Sequence, residues 1–246
     1  MGSKNQIKFG VSGALGKMGQ RILSLAAEDK SLEISLALEY AGHPGIGQKT
    51  FGVVVSGDKE QVKGLSGLID FSTIEGVLEH VGACLRHKVP MVIGITGLSS
   101  DHVKVLARAS QKIPIVFSPN MSIGVNLVFA LVREAAGRLP ADYLVSMTEA
   151  HHVHKKDAPS GTAKFLADIV RAERAQTEIN IKAIREGEII GDHEVVFESP
   201  WDTIKISHSA KTRDIFAKGA LEALKFVVKK KKGLFSMSDV LKELKR

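Results

Sequence analysis

Between residues 7 and 117, short apolar runs alternate with stretches of helical periodicity, and no other feature restricts the fold as strongly. Residues 7–11, 32–38, 67–71, 91–93 and 113–117 read as strands. Residues 18–27, with Ile22, Leu25 and Ala26 on one face, read as a helix, as do the segments near 77–85 and 103–109. Strands and helices alternating at these lengths predict an α/β fold, a parallel sheet covered on both faces. Pro90 and Pro114 stand at strand entrances, where a missing N–H is tolerated.

The pattern changes after about residue 121. A helix over 125–138 leads into a strand over 142–150, and a second helix runs to about residue 174. Three extended runs follow, at 180–184, 194–198 and 203–208, with turns at 188–192 and 199–202. This predicts a second, α+β layer with a mixed or antiparallel sheet. A last helix over about 213–228 could return to the first layer. The expected division is 1–121 plus 214–246 for one domain and 122–213 for the other.

The 246 residues can bury a sizeable core, and 44% apolar content fits a soluble globular protein. No apolar run approaches the ~20 residues of a membrane span, and no signal peptide is expected before the first strand. The single cysteine, Cys84, excludes an internal disulfide framework and fits a reducing cytoplasm. It lies in a helical stretch with Val81 and Leu85 and reads as a buried apolar residue. The net charge of +7 is not organised for nucleic acid. The only basic run, Lys229 to Lys232, reads as the end of a helix, where cations complement the dipole. With 5% aromatic residues there is little stacking surface for single strands. A modest positive field that draws in small anions is the better use of the charge.

Gly13-Ala-Leu-Gly16-Lys-Met-Gly19 follows the first strand and opens the first helix. Glycines there let a pyrophosphate approach the backbone at the helix start. The G-x-x-G-x-x-G spacing is weak alone, but Glu39 closes the second strand, where a carboxylate can hold ribose hydroxyls. The combination favours dinucleotide binding over a tight strand–helix turn with an exposed glutamate. Gly94-Ile-Thr96-Gly97 and Ser118-Pro-Asn120-Met121 end two further strands, where parallel sheets place ligands. Each is equally readable as a plain turn.

The densest chemistry lies in Glu149-Ala-His-His-Val-His-Lys-Lys-Asp-Ala-Pro-Ser-Gly-Thr162. Imidazole can pass protons near neutral pH, and an ammonium beside it can hold an anion or donate a proton. Ser160-Gly161-Thr162 then opens an apolar helical run, whose first N–H groups bind carboxylate or phosphate. The segment reads as a site for an anionic substrate that gains or loses a proton. Zinc is disfavoured, because no cysteine is near and adjacent strand histidines face opposite ways. No metal is therefore expected.

The same segment, through Ala163, closely resembles the signature of the 4-hydroxy-tetrahydrodipicolinate reductase (dihydrodipicolinate reductase) family of the diaminopimelate route to lysine. The resemblance extends to residues 11–19, Asp70-Phe-Ser-Thr73, Gly94-Ile-Thr-Gly97, residues 120–126, Ile189-Ile-Gly-Asp-His193 and residues 213–220, nearly the whole chain. It implies a Rossmann-like cofactor domain, an α+β substrate and oligomerisation domain, and a homotetramer built through the substrate-domain sheets. It implies NADH or NADPH as hydride donor to C4 of the ring of a small anionic dicarboxylate. By match, His151 takes the general acid/base position and Lys155 that of the proton donor. His152, Gly161 and Thr162 match contacts to the substrate carboxylates. Gly13, Lys17, Met18, Glu39, Gly94, Thr96, Ser118, Asn120 and Met121 match cofactor contacts. Arg213 and Phe216 match positions near the cofactor at the return to the first domain.

Two departures stand out. The link between the signature helix and Asn180 is short, as if a loop and strand carried by many members were trimmed. Tyr40 follows Glu39 where some members carry an arginine that pairs with a 2′-phosphate, so NADH is expected to serve at least as well as NADPH. Closure of the two domains is expected. A metal-dependent hydrolase using His151, His152 and His154, a non-catalytic NAD(H)-binding sensor and a dehydrogenase of an aspartate-family metabolite remain as alternatives at this stage.

Overall fold

The computed structural model describes residues 6–175 and 178–244. In chain order the elements are β1 (Ile7–Ser12), α1 (Lys17–Ala27), β2 (Leu32–Leu38), β3 (Lys49–Thr50), β4 (Val53–Ser56), a 3-10 turn (Lys59–Val62), β5 (Gly67–Asp70), α2 (Ile74–His87), β6 (Met91–Ile93), α3 (Ser100–Ala109) and β7 (Pro114–Phe117). There follow α4 (Ile123–Arg138), β8 (Leu144–His151), α5 (Gly161–Glu173), β9 (Asn180–Arg185), β10 (Asp192–Glu198) and β11 (Thr203–Ser209). The chain ends with α6 (Asp214–Val227), β12 (Gly233–Phe235) and α7 (Met237–Glu243). Two compact units result: Met1–Ser122 with Phe216–Arg246, and Ile123–Ile215.

The first unit is built on a sheet of order β12-β7-β6-β5-β1-β2-β4-β3, parallel throughout except for the β3–β4 pair. Its central strands are buried on both faces and therefore read as continuous apolar runs; all four residues of β5 are buried. Leu68, Met91, Ile93 and Ile115 pack there with Val81, Cys84 and Leu106 of the covering helices. Burial pushes the Cys84 thiol well above its ordinary range, so it is inert packing. Thr73 caps α2 by accepting from Gly76 N–H, and Ser99 and His102 form a reciprocal capping box on α3. The basic run does not end a helix as expected. α6 stops at Val227, and Lys230 instead pairs with Glu243 and lies 4.4 Å from the centre of the Phe226 ring.

The second unit has a mixed sheet of order β11-β10-β8-β9. β10 runs antiparallel to β8 and β11, while β9 is parallel to β8. Helices α4 and α5 cover one face, where Val145, Met147, Val195 and Phe197 meet Val132, Leu166 and Val170. At the entry end of β8, Arg174 donates to the carbonyls of Ala136, Leu139 and Tyr143 and lies 5.7 Å from the Phe197 ring centre. A shallow hollow of about 1260 Å³ opens there. Arg174, one of the two arginines lining it, is committed to carbonyls at the end of α4 and the entry to β8, which marks that end as structural.

Gly219 of α6 lies against the chain at Met121, where an added Cβ would stand 1.7 Å from the Met121 carbonyl oxygen. Backbone cannot yield as a side chain can. Gly219→Ala is expected to lower the thermal midpoint by the equivalent of about 3 kcal/mol or more. Gly161→Ala, whose Cβ meets nothing within 4 Å, leaves the midpoint essentially in place. Calorimetry on both variants checks the contrast.

Candidate active site

In the first unit, β1 delivers the chain into the glycine turn at the carboxyl edge of the parallel sheet. Gly13 has φ +72°, and its N–H and that of Ala14 both donate to the Leu38 carbonyl. A Cβ on Gly19 would stand 2.1 Å from the Gly13 carbonyl oxygen, so the first turn of α1 can close on the loop only with glycine there. Gly16 caps α1 with no side-chain hydrogen bond, and the first turn holds no acidic residue. The helix start, with Lys17 and Met18, is thus presented bare, as pyrophosphate binding requires. Glu39 is fixed at the end of β2 by accepting from Leu15 N–H at 2.8 Å.

Gly13, Gly16 and Glu39 line a cavity of about 660 Å³ with Ser12, Tyr40, His43, Phe71, Thr73 and Gly76, whereas Lys17 and Met18, in the first turn of α1, are not in its lining. Its size and its bare glycine backbone fit a dinucleotide. Glu39, Glu75 and Glu79 make the rim acidic, and Lys59 is held by Glu79 at 2.7 Å. Beneath it, buried Asp70 accepts from Ser72 N–H and Oγ at 2.9 and 2.6 Å and meets His80 Nδ1 at 2.7 Å. This brace was not singled out from the sequence.

The other expected cofactor residues end neighbouring strands on the same sheet edge without lining that cavity. Gly94 follows β6; its missing side chain admits the Phe71 ring, which a Cβ would meet at 2.2 Å. Thr96 is exposed beyond it. After β7, Ser118 Oγ donates to the Asn120 carbonyl, Asn120 Oδ1 accepts from Ser122 N–H, and the Met121 side chain is core. Arg213 is exposed just before α6, and Phe216 lies half-buried in its first turn.

In the second unit, β8 alternates inward Val145, Met147, Glu149 and His151. The register sets His193 of β10 opposite Glu149 and Arg185 of β9 beside His151. The covered sheet face therefore changes from apolar to ionisable over two residues. Glu149 is 1% exposed. Its Oε1 accepts from Arg185 Nη2 at 2.8 Å and Ser160 N–H at 3.1 Å, and its Oε2 meets Arg185 Nη1 at 3.1 Å and His151 Nδ1 at 2.5 Å. Burial pushes this carboxyl up, but Arg185, His151 and the Ser160 N–H together hold it below its usual range. Burial lowers His151; Glu149 opposes this, and Lys155 and Arg185 lower it further. The net direction for His151 is downward.

Ser160 caps α5 by accepting from Ala163 N–H, and its hydroxyl also bonds His193 Nε2 at 3.1 Å. The first turn of α5 has no acidic residue, and Gly161 is open around its Cα. Thr162 occupies the same turn. Lys155, half-buried, pairs with Asp157 at 2.7 Å. His152 leaves β8, donating its N–H to the Ile189 carbonyl, while its buried Nδ1 has no partner among the described residues. His154 is exposed, with its ring centre 6.1 Å from that of His152 and its Nε2 3.9 Å from Glu188.

Glu149, His151 and His193 stand close enough to share a cation. Arg185 argues against one, since both Glu149 oxygens are already engaged by its guanidinium. Ser160 enters the sequence reading of the site only as the helix start, and Arg185 and His193 have no role in it. Their only signal was the spacing of motif fragments that strand pairing later brings together.

A unit with a glycine turn and cavity that fit a dinucleotide, and another that sets the Glu149–His151 pair beside a helix start free of acidic residues, are the arrangement expected of a nicotinamide-dependent oxidoreductase. The sequence matches "Dihydrodipicolinate reductase, N-terminus" over residues 7–121 and "Dihydrodipicolinate reductase, C-terminus" over residues 124–241. Relatives named 4-hydroxy-tetrahydrodipicolinate reductase include those of Nitrosomonas eutropha, 38% identical, and Geotalea daltonii, 39% identical. Each alignment covers 96% of this chain and 98% of the relative. The fold is that of a dipicolinate-bound dihydrodipicolinate reductase from Paenisporosarcina sp. TG-14, with TM-score 0.84, 23% identity, and 94% and 97% of the two chains covered. An amine dehydrogenase from Mycobacterium smegmatis shares it more loosely, at TM-score 0.68 and 13% identity over 99% and 97%. The chain belongs to the dihydrodipicolinate reductase family, and its cofactor is NADH or NADPH.

Burial lowers His193 to about 4, with His151 adding to the effect. A histidine depressed in the folded state contributes fully above its unfolded pKa near 6.5 and loses that contribution as pH falls toward 4. The loss is roughly 3 kcal/mol across that window. In His193→Asn the thermal midpoint is expected to fall less steeply between pH 7 and 4 than in the wild type, as read by calorimetry at each pH.

Proposed function

We propose that this chain is a 4-hydroxy-tetrahydrodipicolinate reductase that reduces the dihydrodipicolinate ring to tetrahydrodipicolinate. The observation that carries the reading is the Glu149–His151 pair standing beside Lys155 and the bare start of α5. Gly161 and Thr162 hold one substrate carboxylate at the helix start, where oriented N–H groups and the dipole favour an anion. His152, with its buried and unpartnered Nδ1, supplies a further polar contact.

A reduced nicotinamide held at the glycine turn would supply the hydride that ring C4 receives. The electron pair displaced into the ring takes up a proton, and Lys155 is the donor. Lys155 fits this role better than His151, whose Nδ1 is committed to the Glu149 carboxylate. His151 orients the ring and serves proton exchange, and the positive charges of Lys155 and the helix start stabilise the dicarboxylate while charge moves through it. Lys17, Met18 and the Gly13 turn hold the pyrophosphate, and Glu39 the adenosine ribose. Phe71, resting on Gly94, shapes the same cavity. Thr96, Ser118, Asn120, Met121, Arg213 and Phe216 are proposed to complete the cofactor contacts. The uncovered face of the β8–β11 sheet is the proposed homotetramer contact, and a cytoplasmic location is proposed. No helix among the described residues is long and apolar enough to cross a membrane.

The test is NADH and NADPH oxidation with substrate made in situ from pyruvate and aspartate semialdehyde by the preceding synthase. Turnover that depends on the synthase supports the reductase; cofactor binding without turnover refutes it. Lys155→Ala is expected to lose about 10²-fold or more in kcat, the contribution of a positioned proton donor. Near-normal turnover would remove Lys155 from that role.

The acidic cavity rim also sets an expectation for the cofactor. A 2′-phosphate beside Glu39 and Tyr40 would meet carboxylates, with the nearest lining lysine already paired. NADH is expected to give a kcat/KM at least equal to that of NADPH, and a strong NADPH preference would contradict it.

A further inference from the structure

We propose that Glu149 is the positioning residue of His151, holding it as the Nδ1–H tautomer with Nε2 turned to the substrate side, and that Arg185 keeps Glu149 in that task. The inference rests on the reductase reading for its kinetic consequence, but its structural content can be read without turnover.

The argument begins with acceptor capacity. An ionised carboxylate accepts and cannot donate. Glu149 is ringed by groups that only donate: two Arg185 N–H groups and the Ser160 backbone N–H. The fourth contact, to His151 Nδ1 at 2.5 Å, must then be an N–H donated by the imidazole. In neutral His151 the lone pair is left on Nε2. Gly191, at the turn into β10, sets no side chain against that nitrogen; a Cβ would come within 3.1 Å of it.

Arg185 does more than neutralise. It donates to the Asp157 carbonyl as well, so one guanidinium ties β8 to the loop that carries Lys155 and Ser160. The imidazole also faces His193 across the sheet, edge to face at 5.2 Å between ring centres. His193 Nε2 bonds Ser160 Oγ at 3.1 Å, and its buried Nδ1 has no partner among the described residues, so the 2.5 Å contact to Glu149 is the hydrogen bond that His151 Nδ1 makes.

Glu149→Gln isolates this role. Glutamine keeps the shape but presents one acceptor and one donor group. Arg185 and Ser160 N–H demand the acceptor, which turns the amide NH₂ toward His151 Nδ1. The imidazole then accepts there and carries its proton on Nε2. The charged and titratable groups facing it become Arg185 on β9, His193 on β10, and Lys155 and Asp157 on the loop. Without the carboxylate, the protonation midpoint of His151 moves to lower pH.

The experiment is long-range 1H–15N imidazole NMR on the full-length wild type and E149Q, with His151→Gln used for assignment, alongside steady-state kinetics. The expected result is an Nδ1–H tautomer in the wild type and an Nε2–H tautomer in E149Q. kcat falls about 10²-fold or more while KM for NADH stays near the wild-type value. An Nε2–H tautomer in the wild type overturns the proposal, as does a folded E149Q with unchanged kcat. If E149Q does not fold, the wild-type spectrum alone decides. If the wild type has no reductase activity, the functional reading fails while the tautomer still tests the geometry.

Discussion

The Glu149 carboxylate is the point on which the second unit turns. Moving an ion pair out of water costs several kcal/mol per charge, and such a pair persists only when every lone pair finds a donor. Glu149 meets that condition with donors from three directions: β9 through Arg185, its own strand through His151, and the α5 start through Ser160. Deleting any one donor would leave a buried charge short of a partner. The same bonds that make this carboxylate tolerable therefore fix the tautomer, the helix start and the loop bearing Lys155.

Little of the chain is needed to change a core into a site. Along β8, Val145 and Met147 belong to the apolar layer under α4 and α5, and the next two inward residues are Glu149 and His151. The period of the strand supplies the change without a break in the ladder. The apolar rows below hold the register rigidly, because a one-residue slip would turn Met147 and Val195 to the open face. Stability in one half of the strand thus supplies precision in the other. The first unit uses the same economy: β1, β2, β5 and β6 are buried to their carboxyl ends, and the candidate cofactor groups sit on the turns that leave them.

What the sequence makes legible follows from how local each signal is. The strands at 32–38 and 91–93 coincide with β2 and β6, since short apolar runs bounded by turns leave few alternatives. The β3–β4 hairpin is not legible. It turns on Phe51-Gly52, at φ 45° and 84°, where the usual Asn-Gly signal is absent, and its strands hold two and four residues. β12 and α7 are equally short, and β12 exists by pairing with distant β7. In the site, the histidines, Lys155 and the Ser-Gly-Thr turn stand out because they crowd one segment. Arg185 does not, because its partner Glu149 is 36 residues away and only the parallel β8–β9 register joins them.

The electrostatics of the two sites differ in a way the overall charge of +7 conceals. The second unit sets Lys155 and Arg185 against two carboxylates, Asp157 and Glu149, beside the start of α5, whose first turn holds no acidic residue. The cofactor cavity is acidic beyond its glycine turn, with Glu39, Glu75 and Glu79 on the rim and Lys59 engaged by Glu79. A dinucleotide would suit that gradient, with its pyrophosphate at the helix start and its ribose hydroxyls, as donors, at Glu39. Net charge describes the solvated surface. The choice of ligand rests on where a few buried or half-buried groups have already found their partners.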